Sequence, residues 1–175
     1  MIKGKNIILR HLKEEDLDWL IEMMNDLSYR GEYMWTYLKS PHSIRENFYN
    51  TGFASPQNEL FVITDLEGNR VGRIGHFLTV PYSTAKEIGY SITGAHGKGY
   101  ATEAVNLLRD YLFNSTELNR LEIKTHPENI GSQKVALRNG FQLEGTLRGV
   151  MLVKGKFTDS NVYGLVRKDW EALNA

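Results

Sequence analysis

Gly94-Ala95-His96-Gly97-Lys98-Gly99-Tyr100-Ala101-Thr102-Glu103-Ala104 stands between two different periodicities. Before it, Ala85 to Ile92 (AKEIGYSI) reads as a β-strand. After it, Ala101, Ala104, Val105, Leu108 and Leu112 recur on one helical face. The glycines therefore lie where a strand passes into the start of a helix. Glycine lets the backbone turn sharply and lets a ligand approach it closely. The first N–H groups of a helix have no intrahelical partner, and the helix dipole makes that end electropositive. A loop of this kind holds phosphate oxygens through its main chain. Two other phosphate motifs do not fit. No run matches Gly-x-x-x-x-Gly-Lys-Ser/Thr, and Gly-x-Gly-x-x-Gly would need glycine where Thr102 stands.

Outward from this loop, Leu121 to Thr125 reads as a further strand. Strand, helix and strand over this length make a crossover unit with the two strands parallel. Ser132 to Arg138 reads as a short helix with Gly140 as its left-handed stop. Gln142 to Val153, a turn at Lys154-Gly155, and Val162 to Arg167 read as a hairpin, and Lys168 to Ala175 as a frayed helix end. On the N-terminal side, Leu60 to Thr64 and Val71 to Val80 form another hairpin around Asp65 to Asn69. Asn6 to Leu12 is a first strand. Leu17, Leu20, Ile21 and Met24 give a helical face whose start carries Glu14, Glu15 and Asp16, where the dipole favours acids. Ser43 to Glu46 has capping-box spacing for a second helix reaching about Tyr49. The expected class is α/β (α+β): a mixed, mostly antiparallel central sheet with a βαβ core, flanked by helices.

The chain has 175 residues, for which a single domain over 1–175 is the expectation. With 21 acidic and 21 basic residues, the formal net charge is zero, so no strong field points to nucleic acid or an anionic membrane. The absence of cysteine excludes disulfides, thiolate metal sites and a cysteine nucleophile, and fits a reducing, cytoplasmic compartment. Met1-Ile2-Lys3-Gly4-Lys5 is not followed by a signal-peptide core, and no segment has transmembrane length. His11, His42, His76, His96 and His126 lack metal-ligand spacing, so no metal is expected.

His96-Gly97-Lys98-Gly99-Tyr100-Ala101 resembles the acetyl-CoA motif of the GNAT N-acetyltransferases, Gln/Arg-x-x-Gly-x-Gly/Ala, with His96 in the place of Gln or Arg. Asn129-Ile130-Gly131-Ser132 with Arg138-Asn139-Gly140-Phe141 is similar to a second family motif. Gly155-Lys156-Phe157-Thr158-Asp159 with Tyr163 and Asp169-Trp170 is similar to a third. Together they resemble the ribosomal-protein N-terminal acetyltransferase (RimJ/RimL-like) branch from about Asn6 to Trp170. The resemblance implies the GNAT fold, acetyl-CoA as co-substrate and, by analogy alone, a homodimer. It implies that Gly97, Lys98, Gly99, Tyr100, Ala101 and Thr102 hold the CoA pyrophosphate. It implies that the strand from Glu87 to Thr93 is splayed from its parallel neighbour, with Tyr90, Ser91 and Ile92 nearest the thioester. Asn129 would bond the pantetheine, and Ser132 would contact the sulfur. Lys98 and Lys134 are either phosphate contacts or solvated surface lysines.

An amine attacks a thioester directly, so no enzyme nucleophile is required. The amine must be neutral, the carbonyl oxygen needs a donor, and the leaving thiolate needs a proton. Ser132 is the candidate proton donor; its alternative reading is a helix cap, a task Asn129 could share. The base position of ribosomal-protein members corresponds here to Met151, which cannot accept a proton. Glu87 is the substitute, against the alternative of an ordinary charge on the open sheet face. Gly89 suits a bulge in that strand. Asp159 reads as a clamp on the last hairpin. His76 faces either the acceptor or the interior, and His126 falls near the acetyl group. Leu27 to Lys39, rich in Tyr29, Tyr33, Met34, Trp35 and Tyr37, either packs over the core edge or walls the acceptor pocket. The expected reaction is acetyl transfer from acetyl-CoA to a primary amine, on a peptide N-terminus or a small molecule. The alternative is a non-catalytic CoA-binding regulatory module.

Overall fold

The computed structural model describes residues 1–34, 37–80, 85–94 and 97–173, with only the backbone of Tyr29 and Arg30. Its strands are β1 (Ile2–Lys3), β2 (Ile7–His11), β3 (Glu59–Asp65), β4 (Arg70–Leu78), β5 (Lys86–Ile92), β6 (Arg120–Thr125), β7 (Gln142–Val153) and β8 (Lys156–Val166). The helices are α1 (Leu17–Asn25), α2 (Pro41–Thr51), α3 (Tyr100–Ser115), α4 (Ile130–Arg138) and α5 (Arg167–Leu173). The strands make one sheet in the order β1-β2-β3-β4-β5-β6-β8-β7. Every neighbouring pair is antiparallel except β5–β6, the pair joined through α3. This is the mixed sheet that the periodicities predict.

Side chains alternate across a strand, so β3 contributes to two separate cores. Ile7, Leu9, Phe61, Ile63, Ile74, Ile88, Leu121 and Ile123 point to one face and meet Val105, Leu108 and Leu112 of α3. Leu12 and Val62 belong to the other core, with Leu20, Met23 and Met24 of α1 and Ile44 of α2. Each fully buried leucine or isoleucine contributes about 2 kcal/mol through apolar burial. The packing of Ile88, Leu121 and Ile123 against α3 sets which face the alternate polar residues of β5 and β6 occupy.

Several local expectations change once long-range contacts are included. Asp16 does not serve the α1 dipole. It is buried and takes hydrogen bonds from Arg10, Arg70 and the Lys13 N–H, pinning the start of α1 to β2 and β4. Helix α2 is capped by Ser40, not Ser43, with Pro41 at its first position, where a missing N–H costs nothing. Gly89 is not at a bulge: the β4–β5 register runs unbroken through Gly75↔Gly89. The C-terminal segment is not frayed over Arg167–Leu173. Trp170 stacks on Phe113 at 5.1 Å between ring centroids, and its indole N–H donates to Asp110 at 2.7 Å. A large aromatic ring with a satisfied N–H supplies enough packing to order a short terminal helix. Gly140 does adopt the left-handed conformation (φ 83°) that ends α4.

Candidate active site

The parallel pairing of β5 with β6 covers only Lys86↔Leu121 and Glu87↔Glu122. On its other edge, β5 stays paired with β4 as far as Ile92. Past Glu87 the parallel strands part into a V, and backbone groups that a continuous sheet would satisfy are left to another partner. Beyond the open end of the V lies the glycine loop. Gly97 (φ 82°) and Gly99 (φ 80°) are in the left-handed region, and a Cβ at either would meet no atom of the chain within 4 Å. The glycines are therefore required by backbone conformation and not by internal packing. Gly99 caps α3 without a side-chain bond, and the first intrahelical donor is Glu103, to the Gly99 carbonyl at 3.0 Å. The N–H groups of Tyr100, Ala101 and Thr102 are thus the helix's unpaired donors. This donor set fits a pyrophosphate, and the V fits an extended amide-bearing arm.

Glu87 sits at the apex of the V. Ile88 enters the α3 core, so Glu87 lies on the opposite face, the one covered further along the sheet by α1 and α2. Its side chain is 16% exposed, and Lys124 Nζ donates to it at 2.9 Å; Lys124 also lies 3.4 Å from Glu122. Burial raises the Glu87 pKa above the ordinary carboxylate value and outweighs the Lys124 bond, which works the other way. For Lys124, burial opposes the charge, but the Glu87 bond prevails and the net shift is upward.

Ser132 lies on the α3 face. It is not the cap of α4: Asn129 is, accepting from the Ser132 N–H at 3.0 Å. This leaves the Ser132 hydroxyl to another partner, and that partner is the Tyr90 hydroxyl, 2.9 Å away across the V. Asn139 and Phe141 hold α4 in place. Asn139 is buried, donates to the Thr102 and Val135 carbonyls, and accepts from buried Arg109 through its own carbonyl at 2.8 Å.

A family model for the acetyltransferase (GNAT) domain matches residues 6–142. The chain belongs to the GNAT acetyltransferase family. It is an acetyl-CoA-dependent N-acetyltransferase. It is 29% identical over 170 residues to the uncharacterized N-acetyltransferase p20 of Bacillus licheniformis, covering 95% of this chain and 96% of the relative. It is 35% identical over 101 residues to the ribosomal-protein-serine acetyltransferase of Escherichia coli, covering 57% of this chain and 56% of that protein. The fold matches that of a spermidine N-acetyltransferase from Vibrio cholerae, solved in complex with CoA and spermine. The TM-score is 0.84 at 20% identity, over 94% of this chain and 98% of that one.

Within this GNAT domain the remaining sequence candidates separate clearly. Ser91 lies on the Glu87 face of β5, and Tyr90 and Ile92 pack against the α3 core. Lys98 is exposed, 5.9 Å from the Tyr100 ring, and Lys134 is exposed on α4. His76 lies on the sheet face opposite Glu87. It is buried on the α3 face, with Nε2 3.0 Å from Glu59, and burial lowers its pKa. Met151 is half-buried on β7 opposite Thr158. Asp159 accepts from the Gly149 N–H at 2.9 Å and clamps the β7–β8 hairpin. In the Leu27 to Lys39 segment, Tyr33 stacks on His126 at 4.9 Å. His126 Nδ1 accepts from the Glu128 N–H, which leaves Nε2 as the protonated nitrogen of the neutral ring. Trp35, Thr36, Ala95 and His96 lie outside the described residues. Among the described residues no helix is long and apolar enough to cross a membrane. Lys124, the ion-pair partner of Glu87, is a residue that sequence reading missed. Its parity against Ile123 signals its face, but only the β5–β6 register brings it to Glu87.

Proposed function

We propose that this GNAT enzyme acetylates amines of depressed pKa, peptide N-termini or amino sugars, in preference to lysine side chains. The observation that carries the reading is the V between β5 and β6, with Glu87 on one face of the sheet and Ser132 on the other. An acyl group held between the strands meets an amine on the Glu87 side, and its thiolate leaves toward Ser132. Glycines 97 and 99 and the N–H groups of Tyr100, Ala101 and Thr102 bind the CoA pyrophosphate; Ser91, Ile92 and Asn129 line the arm. Glu87, made more basic by burial, takes the amine proton, and Ser132 supplies the proton to sulfur. Tyr33, stacked on His126, forms part of the acceptor wall.

The substrate preference follows from the base. A lysine side chain (reference pKa about 10.4) costs over 3 kcal/mol to deprotonate at neutral pH, whereas an α-amino group near 8 costs about 1. Met151 supplies no second carboxylate, and Lys124 holds Glu87, so the site suits the easier amine. The likeness to a ribosomal-protein-serine acetyltransferase supports a protein acceptor within that class. The test compares N-terminally free peptides, amino sugars and internal-lysine peptides by kcat/KM across pH. The first two classes should lead at neutral pH. A lead for internal lysine overturns the preference, and no CoA release with any amine returns the chain to a CoA-binding module.

A further inference from the structure

The Tyr90 hydroxyl, hydrogen-bonded to Ser132, has no part in the proton transfers assigned to Glu87 and Ser132. Tyr90 is largely buried, its hydroxyl reaches across the mouth of the V, and it meets Ser132 Oγ at 2.9 Å. Asn129 already satisfies the Ser132 N–H, so the serine hydroxyl is free to turn between two neighbours: Tyr90 on one side and the interior of the V on the other.

A serine hydroxyl is by itself a poor proton source for a thiolate. Losing a proton leaves an alkoxide, far more basic than a thiolate of about pKa 8.5. A phenol, near 10, is much closer to the thiol. We propose that Tyr90 is the proton source behind Ser132, passing its phenolic proton through the serine hydroxyl to the departing CoA sulfur. This rests on the reading of Ser132 as the donor to sulfur. The balance is complete. The amine nitrogen forms a bond to the acetyl carbon, and the carbon–sulfur bond breaks with its electron pair left on sulfur. Sulfur takes the Ser132 proton while Ser132 takes the Tyr90 proton, so no alkoxide forms. The phenolate is then reprotonated from solvent, and the surplus amine proton leaves through Glu87. Burial raises the Tyr90 pKa, with the Ser132 bond acting in the opposite sense, so transfer to the thiolate is uphill and is completed by reprotonation of the phenolate from solvent. Tyr90 does not touch the sulfur in this scheme; it acts as a positioning and relay residue through Ser132.

Single-turnover acetyl transfer in mixtures of light and heavy water tests the relay, with melting and CoA affinity measured on each variant. The wild type should show a curved proton inventory, two protons in flight, and Tyr90→Phe a linear one with a rate lowered about 10- to 100-fold. The double variant Tyr90→Phe/Ser132→Ala should be no slower than Ser132→Ala alone, because residues acting as one unit are not additive. A ring-fluorinated tyrosine at position 90, which keeps size and hydrogen bond but lowers the phenol pKa, should move the high-pH limb of the rate downward. A linear wild-type inventory, additive losses, or an unmoved limb overturns the relay. An unchanged rate in Ser132→Ala defeats the underlying reading of Ser132 instead, so the two failures are distinct.

Discussion

Asp16, where α1 joins the sheet, and Glu87, at the apex of the V, are both carboxylates drawn out of water and set against cations, yet their acidities move in opposite directions. Asp16 is 0% exposed and receives two bonds from Arg10, at 2.6 and 2.9 Å, one from Arg70 at 2.7 Å and one from the Lys13 N–H at 2.8 Å. Burial opposes its charge, but these donors prevail and its pKa falls to about 2. Glu87 is 16% exposed, has one hydrogen-bonded cation among the described residues, Lys124, with the Glu122 charge also near, and its pKa rises. The number of donors set against desolvation decides the outcome. A carboxylate saturated with donors is a structural anchor with no basicity to spare. One that is under-supplied keeps a tendency to take a proton, which is what a base at an acyl-transfer site needs.

Glu87→Gln breaks the functional side of this contrast and carries the largest expected effect. The value of kcat/KM for the preferred amine should fall by about 10²- to 10⁴-fold, the usual contribution of a positioned base. Melting should stay the same or rise, since an under-compensated buried charge is removed. In the wild type the rate should drop as pH falls through the raised Glu87 pKa, above the reference 4.5. That acid limb should be absent in the variant, and a wild-type profile in Glu87→Gln would end the assignment.

Asp16→Asn should do the reverse. Stability in urea should fall by about 3 kcal/mol, the lower end for breaking a buried ion pair, because Arg70 keeps part of its hydration. Turnover per folded molecule should remain within about twofold, as a site distant from the reacting groups requires. The sign of the pH effect follows from a folded pKa below the unfolded value of 3.8. The stabilisation is present above pH 4 and is lost as pH drops toward 2. Urea titrations at successive pH values should therefore show a steeper acid loss in the wild type than in the variant.

Lys124→Met sharpens the comparison with the smallest change. Removing the one cation should push the Glu87 pKa higher still. The acid limb of kcat/KM should move up by about one pH unit, the low end for loss of an adjacent opposite charge. An unmoved limb would show that Lys124 does not tune the base.

Most strands and helices were legible because their causes are local. A β-run followed by a turn and a returning strand gave β3 and β4, the short run Leu121 to Thr125 gave β6, and a 3.6-residue period gave α1 and α3, each within a few residues of its observed bounds. Two misreadings share one cause, a tertiary contact overriding a local rule. Asp16 looked like a dipole partner until Arg70, 54 residues away, reached it. The C-terminal segment looked frayed until Trp170 found Asp110, 60 residues earlier. For Ser132 two readings stood open, proton donor or helix cap, with Asn129 able to share the capping; the cap is Asn129, one turn earlier in the chain.

The sequence by itself determined the conformation of the glycine loop and the donors it presents. Positive φ at Gly97 and Gly99, and unpaired N–H groups at a helix start, are consequences of covalent geometry within a few residues. It also determined, through side-chain parity, that Glu87 and Ile88 face opposite ways. Only the tertiary structure decided where β5 and β6 part, that Lys124 meets Glu87 across 37 residues, and that Tyr90 meets Ser132 across 42. Those pairings depend on the register of a parallel strand pair joined through α3 and on the seating of α4 against α3. Register and seating are set by the packing of the whole core, which no short window of sequence contains.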